Sequence, residues 1–316
     1  MLREFGERVS YFSVWLGLKT GEAVIMFFPR RFLFFLSETL ADLCFRLFYS
    51  FRKRSIRNLN LALGDRLEAS AIEETARRSL RNFFRDFVEM GLALGTSMEE
   101  IRAEIPLLGR EHLEKALAKG KGVIALSAHL GNFFLLGTRL AAEGYSIHVL
   151  VKPSRNGLFA GLTDRYRLRA GQRTIRARPA REATRQLTQI LRQNELAMVI
   201  ADEYRSKGIP VPFFGRLVLA RRGPVTLAMR TGAAVVPVYL IHGPNGRLTL
   251  VIEPELEFSR SGALMEDVTS NILRLTEWLE GVVRRYPDQW NWMVVRWQED
   301  HHGMAHGKEI QNERFA

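Results

Sequence analysis

Three short apolar runs each deliver chemistry-bearing side chains at their ends. Val123-Ile124-Ala125-Leu126 leads into Ser127-Ala128-His129, the run at 147–151 into Lys152-Pro153-Ser154, and the run at 196–201 into Asp202-Glu203-Tyr204. Histidine titrates close to neutral pH and suits general-base work. A carboxylate beside it can fix its tautomer, and a lysine can hold an anion. After His129, the stretch Leu130-Gly131-Asn132-Phe133-Phe134 reads as a turn entering a helix. Asn132 and the first amides of that helix could face a developing oxyanion. A single histidine at such a junction is more often structural. The weight therefore falls on the convergence of one His, one Lys and two carboxylates.

The elements around these runs explain why they should converge. Helical patterns are expected at about 70–95, 131–143, 156–171, 180–193, 223–231 and 263–285. Strands are expected at 123–126, 147–151, 196–201, 234–240 and 247–253. Strands alternating with helices predict an α/β fold with a mostly parallel central sheet and helices on both faces. In such sheets ligands bind beyond the carboxyl ends of the strands. Gly120-Lys121-Gly122 lacks the spacing of a phosphate loop and reads as a tight turn. Val211-Pro212-Phe213-Phe214-Gly215 is core by default, with the wall of an acyl tunnel as the functional alternative.

Composition narrows the partner. The chain has 316 residues, 47% of them apolar and 25% charged, which excludes wholesale disorder and low-complexity classes. Its 46 Lys+Arg against 34 Asp+Glu leave a net charge of +12. That surplus points to anionic partners: nucleic acid, an acidic protein, phosphate-bearing substrates or a membrane surface. No nucleic-acid recognition motif is present, and nucleic acid is not expected. The single Cys44 excludes an internal disulfide and any multi-cysteine zinc site. His301, His302 and His306 lie in a polar tail, and no metal is assigned.

The first sixty residues are rich in Phe but contain no uncharged run of about 20 apolar residues, the length that would span a membrane. Lys19 and Glu22 interrupt the first apolar stretch, and Pro29-Arg30-Arg31 ends it. In the second, Glu38, Asp42 and Arg46 share one helical face while Phe34, Phe35, Leu40, Leu43, Leu47 and Phe48 cover the others. Arg52-Lys53-Arg54 and Arg57 follow. One reading is a core helical pair whose charged stripe is its solvated side. The other, which we favour, is a monotopic anchor with its apolar face in the bilayer and its basic end on headgroups. A cleavable signal peptide is not expected. Three regions result: membrane-associating helices at 1–60, the α/β domain at 61–297, and a polar, disordered tail at 298–316.

Several short motifs, taken in order, carry a family resemblance. They are Ser55-Ile56-Arg57-Asn58-Leu59-Asn60-Leu61-Ala62-Leu63, the corner Ala128-His129-Leu130-Gly131-Asn132, Lys152-Pro153 with Asn156 and Leu158, and Arg167-Leu168-Arg169. Asp202-Glu203-Tyr204, Arg222-Gly223-Pro224, Val236-Pro237-Val238 and Pro287-Asp288-Gln289-Trp290-Asn291-Trp292 complete the set. Together they resemble the lipid A biosynthesis (late) acyltransferases and the related phosphatidylinositol mannoside acyltransferases. The resemblance implies an N-terminal anchor on the cytoplasmic face of a bacterial inner membrane. It also implies transfer of a fatty acyl chain from an acyl carrier protein or coenzyme A thioester to a hydroxyl of a glycolipid, such as a lipid A precursor. No cofactor is implied beyond the donor substrate. The implied general base is His129, with Arg167 and Arg169 holding substrate phosphate and Lys152 and Asn156 close by.

The family motif is His-x-x-x-x-Asp/Glu, and here the fifth residue after His129 is Phe134. A phenyl ring can neither fix the imidazole tautomer nor stabilise its cation, and loss of such an orienter can slow a reaction by orders of magnitude. Three outcomes stay open. Asp202 or Glu203 replaces the missing carboxylate, a backbone carbonyl orients His129 more weakly, or the chain is a non-catalytic or altered-chemistry lipid- or carrier-binding protein on the same scaffold. Eight arginines crowd 165–185: Arg165, Arg167, Arg169, Arg173, Arg176, Arg178, Arg181 and Arg185. On helices they would not share one face, so part of this belt is ordinary solvated surface. The remainder suits phosphate or an acidic carrier.

Overall fold

A computed structural model describes residues 25, 27–152, 157–204, 208–295 and 297. The apolar stretch around Lys19 and Glu22, the segment containing Asn156, and the tail with its three histidines lie outside them.

The α/β expectation holds. Seven strands form one sheet: β1 (Leu107–Leu108), β2 (Val123–Ser127), β3 (Ile147–Val151), β4 (Gln172–Arg176), β5 (Leu196–Ile200), β8 (Ala234–His242) and β9 (Leu248–Ile252). Their spatial order is β1-β9-β8-β2-β5-β3-β4, and every neighbouring pair is parallel except β8 with β9. The central strand β2 is buried along its whole length, and the period-two rule splits its side chains between two cores. Ile124 and Leu126 pack on the face that holds Trp290, Trp292 and Trp297, whereas Val123 and Ala125 face Leu136, Leu140 and Leu250.

Helices cover both faces: α3 (Ala69–Ala93), α4 (Met98–Glu104), α5 (Arg110–Leu117), α6 (Phe133–Ala141), α7 (Gly157–Arg169), α8 (Ala180–Arg192), α9 (Gly223–Thr231) and α10 (Leu264–Arg285). Helix α4 starts with a reciprocal capping box between Ser97 and Glu100. Helix α9 opens with Pro224 in its first turn and stops at left-handed Gly232.

Two segments form strands that the sequence pattern does not predict. The belt at 165–185 is not purely helical, because Gln172–Arg176 forms the edge strand β4. Arg173 and Arg176 are exposed on that edge, where charge discourages pairing with another chain. The segment at 211–215 belongs to a hairpin of β6 (Ile209–Phe213) and β7 (Arg216–Ala220), turned by Phe214 (φ 51°) and Gly215 (φ 70°). Positive φ at both central residues is the signature of the tight hairpin turn whose twist matches its strands. Phe213 is fully buried against the rings of Tyr204 and Trp290, so this segment is core.

Before the α/β unit come α1 (Arg30–Leu47) and α2 (Tyr49–Leu63). Leu33, Ser37, Ala41 and Phe45, four apart, are the buried residues of α1. The guanidinium groups of Arg77 and Arg81, both on α3, fork onto Asp42, whose carboxyl they hold far below the usual range. Asp42 is therefore a docking group, not part of a solvated stripe. The outward face is the apolar one: Phe35 is 66% exposed, and Leu36, Leu40, Leu43 and Leu47 are exposed beside it. Among the described residues no helix is long and apolar enough to cross a membrane.

Candidate active site

Register brings the first and third chemistry-bearing ends together. Strands β2 and β5 pair in parallel with Ser127 opposite Ile200, so His129 and Asp202 each stand two residues beyond a matched pair. Asp202 is fully buried, and its Oδ1 lies 2.8 Å from His129 Nδ1. Its Oδ2 accepts two N–H bonds of 2.8 Å, from the His129 backbone and the Trp290 indole. Burial by itself would raise the carboxyl pKa. The His129 charge and these hydrogen bonds outweigh it and hold Asp202 below its ordinary value. A carboxylate placed this way orients the imidazole and stabilises its protonated form.

Of the two acids left open by the sequence, Asp202 makes this contact. Glu203 instead lies 3.6 Å from Arg221. Trp290 was not foreseen as part of the site. It arrives from a segment 88 positions further on, and its only sequence signal was the motif that contains it.

The corner itself is pinned on all sides. Gly131 has φ 53°, and a Cβ there would stand 2.0 Å from the Leu240 carbonyl oxygen, so glycine is required. Its N–H donates to Gln289 O, that of Asn132 to Leu240 O, and the His129 carbonyl accepts from Asn291 N–H. Asn132 is completely buried; its Oδ1 caps α6 by accepting from Leu135 N–H, and its Nδ2 donates to Glu89 Oε2 at 2.9 Å. The side chain expected to face an oxyanion is thus spent on holding the corner. The amides of Phe133, Leu135 and Leu136 are likewise bonded, to Gly131 O and to Asn132.

Phe134 occupies the motif's acidic position within an aromatic group. Its ring centroid is 4.1 Å from that of Phe133, 4.8 Å from Phe87 and 6.1 Å from Phe83. Phe133 meets the His129 ring edge-on at 5.0 Å. His129, with 23% of its side chain exposed, lines a cleft of about 150 Å³. Leu80, Phe83 and Asp86 on α3 form one wall, and Trp290 and Trp292 another. A mostly apolar recess with few polar groups suits a lipid-like ligand.

A second titratable cluster, also unforeseen, stands beside this cleft. Asp86, Glu89 and His242 are all buried, and one ligand atom from each lies within 4.8 Å of the others. The set does not fit a metal ion. Both Glu89 oxygens already accept bonds, Oε1 from Arg85 and Oε2 from Asn132, with His242 Nε2 at 3.1 and 3.0 Å. Among the described residues His242 Nδ1 also lacks the outer partner that metal-bound imidazoles have. Burial pushes Glu89 up, but His242, Asn132 and Arg85 outweigh it and keep the carboxyl below its usual value. Asp86 is held well above its usual value, mainly by burial and then by the Glu89 charge. The clue in the sequence was two acids, three apart, on the otherwise apolar helix face at 83–92.

The remaining expected residues are more dispersed. Lys152 is exposed at the end of β3, on the same sheet rim, with β5 between β3 and the His129 strand. Arg167 lies near the end of α7, 3.2 Å from Asp164; burial lowers its pKa and Asp164 partly offsets this. Arg169 is exposed, 5.8 Å from the Tyr166 ring centre. Asp164 also lies 3.3 Å from Arg176, and Arg185 pairs with Glu182, so part of the belt neutralises itself.

A histidine backed by a buried carboxylate, at the carboxyl rim of a parallel sheet and beside an apolar cleft, has the parts that general-base group transfer requires. The comparisons with known proteins agree with that class. The chain belongs to the bacterial lipid A biosynthesis acyltransferase family, whose model it matches over residues 6–299. It is 26% identical to a phosphatidylinositol mannoside acyltransferase of Mycolicibacterium smegmatis, over 77% of this chain and 79% of that protein. It is 24% identical to a lipid A biosynthesis acyltransferase of Haemophilus influenzae, over 63% of this chain and 60% of that protein. A phosphatidylinositol mannoside acyltransferase of Mycobacterium tuberculosis is 27% identical, over 61% of this chain and 60% of that protein. The last two matches span less than two thirds of the relatives' length.

Proposed function

We propose that this protein transfers a fatty acyl chain from a thioester to a hydroxyl of a glycolipid at a membrane surface. The 2.8 Å contact between His129 Nδ1 and Asp202 Oδ1 carries the reading. It supplies the orienting carboxylate that Phe134 cannot. With Nδ1 held by Asp202, the other ring nitrogen takes the proton of the acceptor hydroxyl, whose oxygen attacks the thioester carbon. The C–S bond then breaks, and the proton passes from His129 to the departing thiolate. The donor is acyl carrier protein or coenzyme A. The acceptor belongs to the class the relatives' names indicate, lipid A precursors or phosphatidylinositol mannosides. Arg167, Arg169, Lys152 and Asn156 are the proposed phosphate contacts, and basic side chains around them would gather either donor.

The test is transfer of radiolabelled acyl chains from both donors to both acceptor classes, with His129→Ala alongside. The expected result is activity in the wild type that falls by about 10⁴-fold in the variant. Equal activity in His129→Ala would sink the mechanism. No transfer with any combination would favour a lipid- or carrier-binding role on the same scaffold, the reading that Phe134 supports.

The outward apolar face of α1 supports monotopic attachment at the cytoplasmic face of a bacterial inner membrane. Replacing Phe35 and Leu43, both exposed there, by Glu should abolish co-flotation with anionic vesicles without changing the melting temperature by more than a few degrees. Unaltered flotation would discard α1 as the attachment face.

A further inference from the structure

The corner after His129 offers few donors to a reacting carbonyl. The amides of Gly131, Asn132, Phe133, Leu135 and Leu136 are bonded within the protein, as is the Asn132 side chain. Three other polar side chains of the cleft wall are also engaged. Ser79 donates to Trp290 O, the Gln289 amide pairs with the His242 backbone, and the Trp292 indole donates to Pro287 O. Asp86 differs. It lines the same cleft, is 2% exposed, and its Oδ1 has no hydrogen-bond partner among the described residues.

We propose that Asp86 is a catalytic residue of the His129 cleft, donating its carboxyl proton in a hydrogen bond to the carbonyl oxygen of the acyl group and to the oxyanion that oxygen becomes. The inference rests on the acyl-transfer reading above.

Two carboxyl groups, one turn apart on α3, compete for one set of cationic and N–H partners, and Glu89 takes them. Arg85 Nε reaches Glu89 at 3.1 Å, Asn132 Nδ2 at 2.9 Å and His242 Nε2 at 3.0 Å. The other arm of Arg85 donates to Gly246 O, and its guanidinium sits over the Phe34 ring. His242 Nε2 is 3.9 Å from Asp86 Oδ1, beyond hydrogen-bond reach. Asp86 is left with burial and a neighbouring negative charge, and both favour its neutral form. A carboxyl biased towards its neutral form can donate, and a neutral acid in an apolar site can stabilise an enzyme oxyanion.

Two stable donor analogues test this. A ketone analogue, with CH₂ in place of the thioester sulfur, keeps the carbonyl; a thioether analogue, with CH₂ in place of the carbonyl, lacks it. Each is carried on coenzyme A and on acyl carrier protein and titrated by calorimetry. The wild type should bind the ketone about tenfold more tightly than the thioether, the worth of one hydrogen bond. Asp86→Asn, whose amide also donates, should keep the preference, and Asp86→Leu should lose it while remaining folded by circular dichroism.

The wild-type preference should also fade as pH rises and Asp86 ionises, whereas that of Asp86→Asn should not. Arg85 and Glu89 on α3, His242 from β8 and His129 in the cleft face the site in both proteins, so the difference reports Asp86 alone. No preference in the wild type on either carrier, or a full preference in Asp86→Leu, overturns the proposal. Binding needs no turnover. A protein that shows the preference yet transfers no acyl chain fails the acyl-transfer reading, while the hydrogen bond from Asp86 to the bound carbonyl stands.

Discussion

Asp202 and Asp86 are buried almost equally, 0% and 2% exposed, yet their carboxyl groups move in opposite directions. Burial pushes both up. Asp202 overcomes it because two N–H groups and an imidazole converge on its oxygens; Asp86 does not, because Glu89 has taken the local donors. Partners, not depth, decide which buried acid is an anion. The difference suits the two proposed roles, which one side chain could not hold together. An orienting group must be charged to stabilise an imidazolium, and a donor to an oxyanion must keep its proton.

The largest effect that could break this comparison is on stability. Asp202→Asn should cost about 3 kcal/mol at pH 7 in urea unfolding, because it leaves a buried network without its charge. Asp202 has a depressed folded-state pKa, so its contribution is present above the ordinary carboxylate range and is lost as pH falls through the folded value. The deficit should therefore shrink in acid. Asp86→Asn should show the opposite sign. Where the folded pKa is raised, the unfolded chain releases the proton first, so stability falls as pH climbs above about 4. Removing that ionisation should raise stability at pH 7 by on the order of 1 kcal/mol, and the gain should vanish below pH ~4. The same sign for both variants would end the distinction.

The part of this arrangement that was legible in sequence is the part set by local pattern. Buried-strand runs at 123–126, 147–151 and 196–201 placed His129, Lys152 and Asp202 on one rim, and the register of β2 with β5 brought the first and third together. Strand β4 escaped because its arginines masked the apolar alternation. The orientation of α1 was one of two readings left open, because helical periodicity identifies a face without saying what covers it. Here Arg77 and Arg81, some 35 to 39 residues away, drew Asp42 inward. Asn132 was given a reacting role on its neighbourhood to His129, although its partner Glu89 lies 43 residues upstream. The bonds of Asp42 and Asn132 are long-range polar contacts between segments that carry no mutual signal.

The smallest effect on acyl transfer concerns Phe134, where the family's acid would stand. If the natural site were impaired by this residue, Phe134→Glu should raise acyl transfer by tenfold or more. The geometry argues otherwise. His129 Nδ1 is already bound to Asp202, so a second carboxylate could compete only for the nitrogen that must accept the acceptor's proton. Phe134 also belongs to the group formed by Phe83, Phe87 and Phe133, and Phe133 in turn touches the His129 ring. Replacing one ring by a charge forfeits aromatic contacts worth about 0.5–1.5 kcal/mol each and loosens the edge against which His129 rests. Transfer by Phe134→Glu should therefore fall a few-fold or stay level, with stability lowered by about 1–2 kcal/mol. A clear gain in rate at unchanged stability would mean that Asp202 orients His129 less well than the residue the family normally uses.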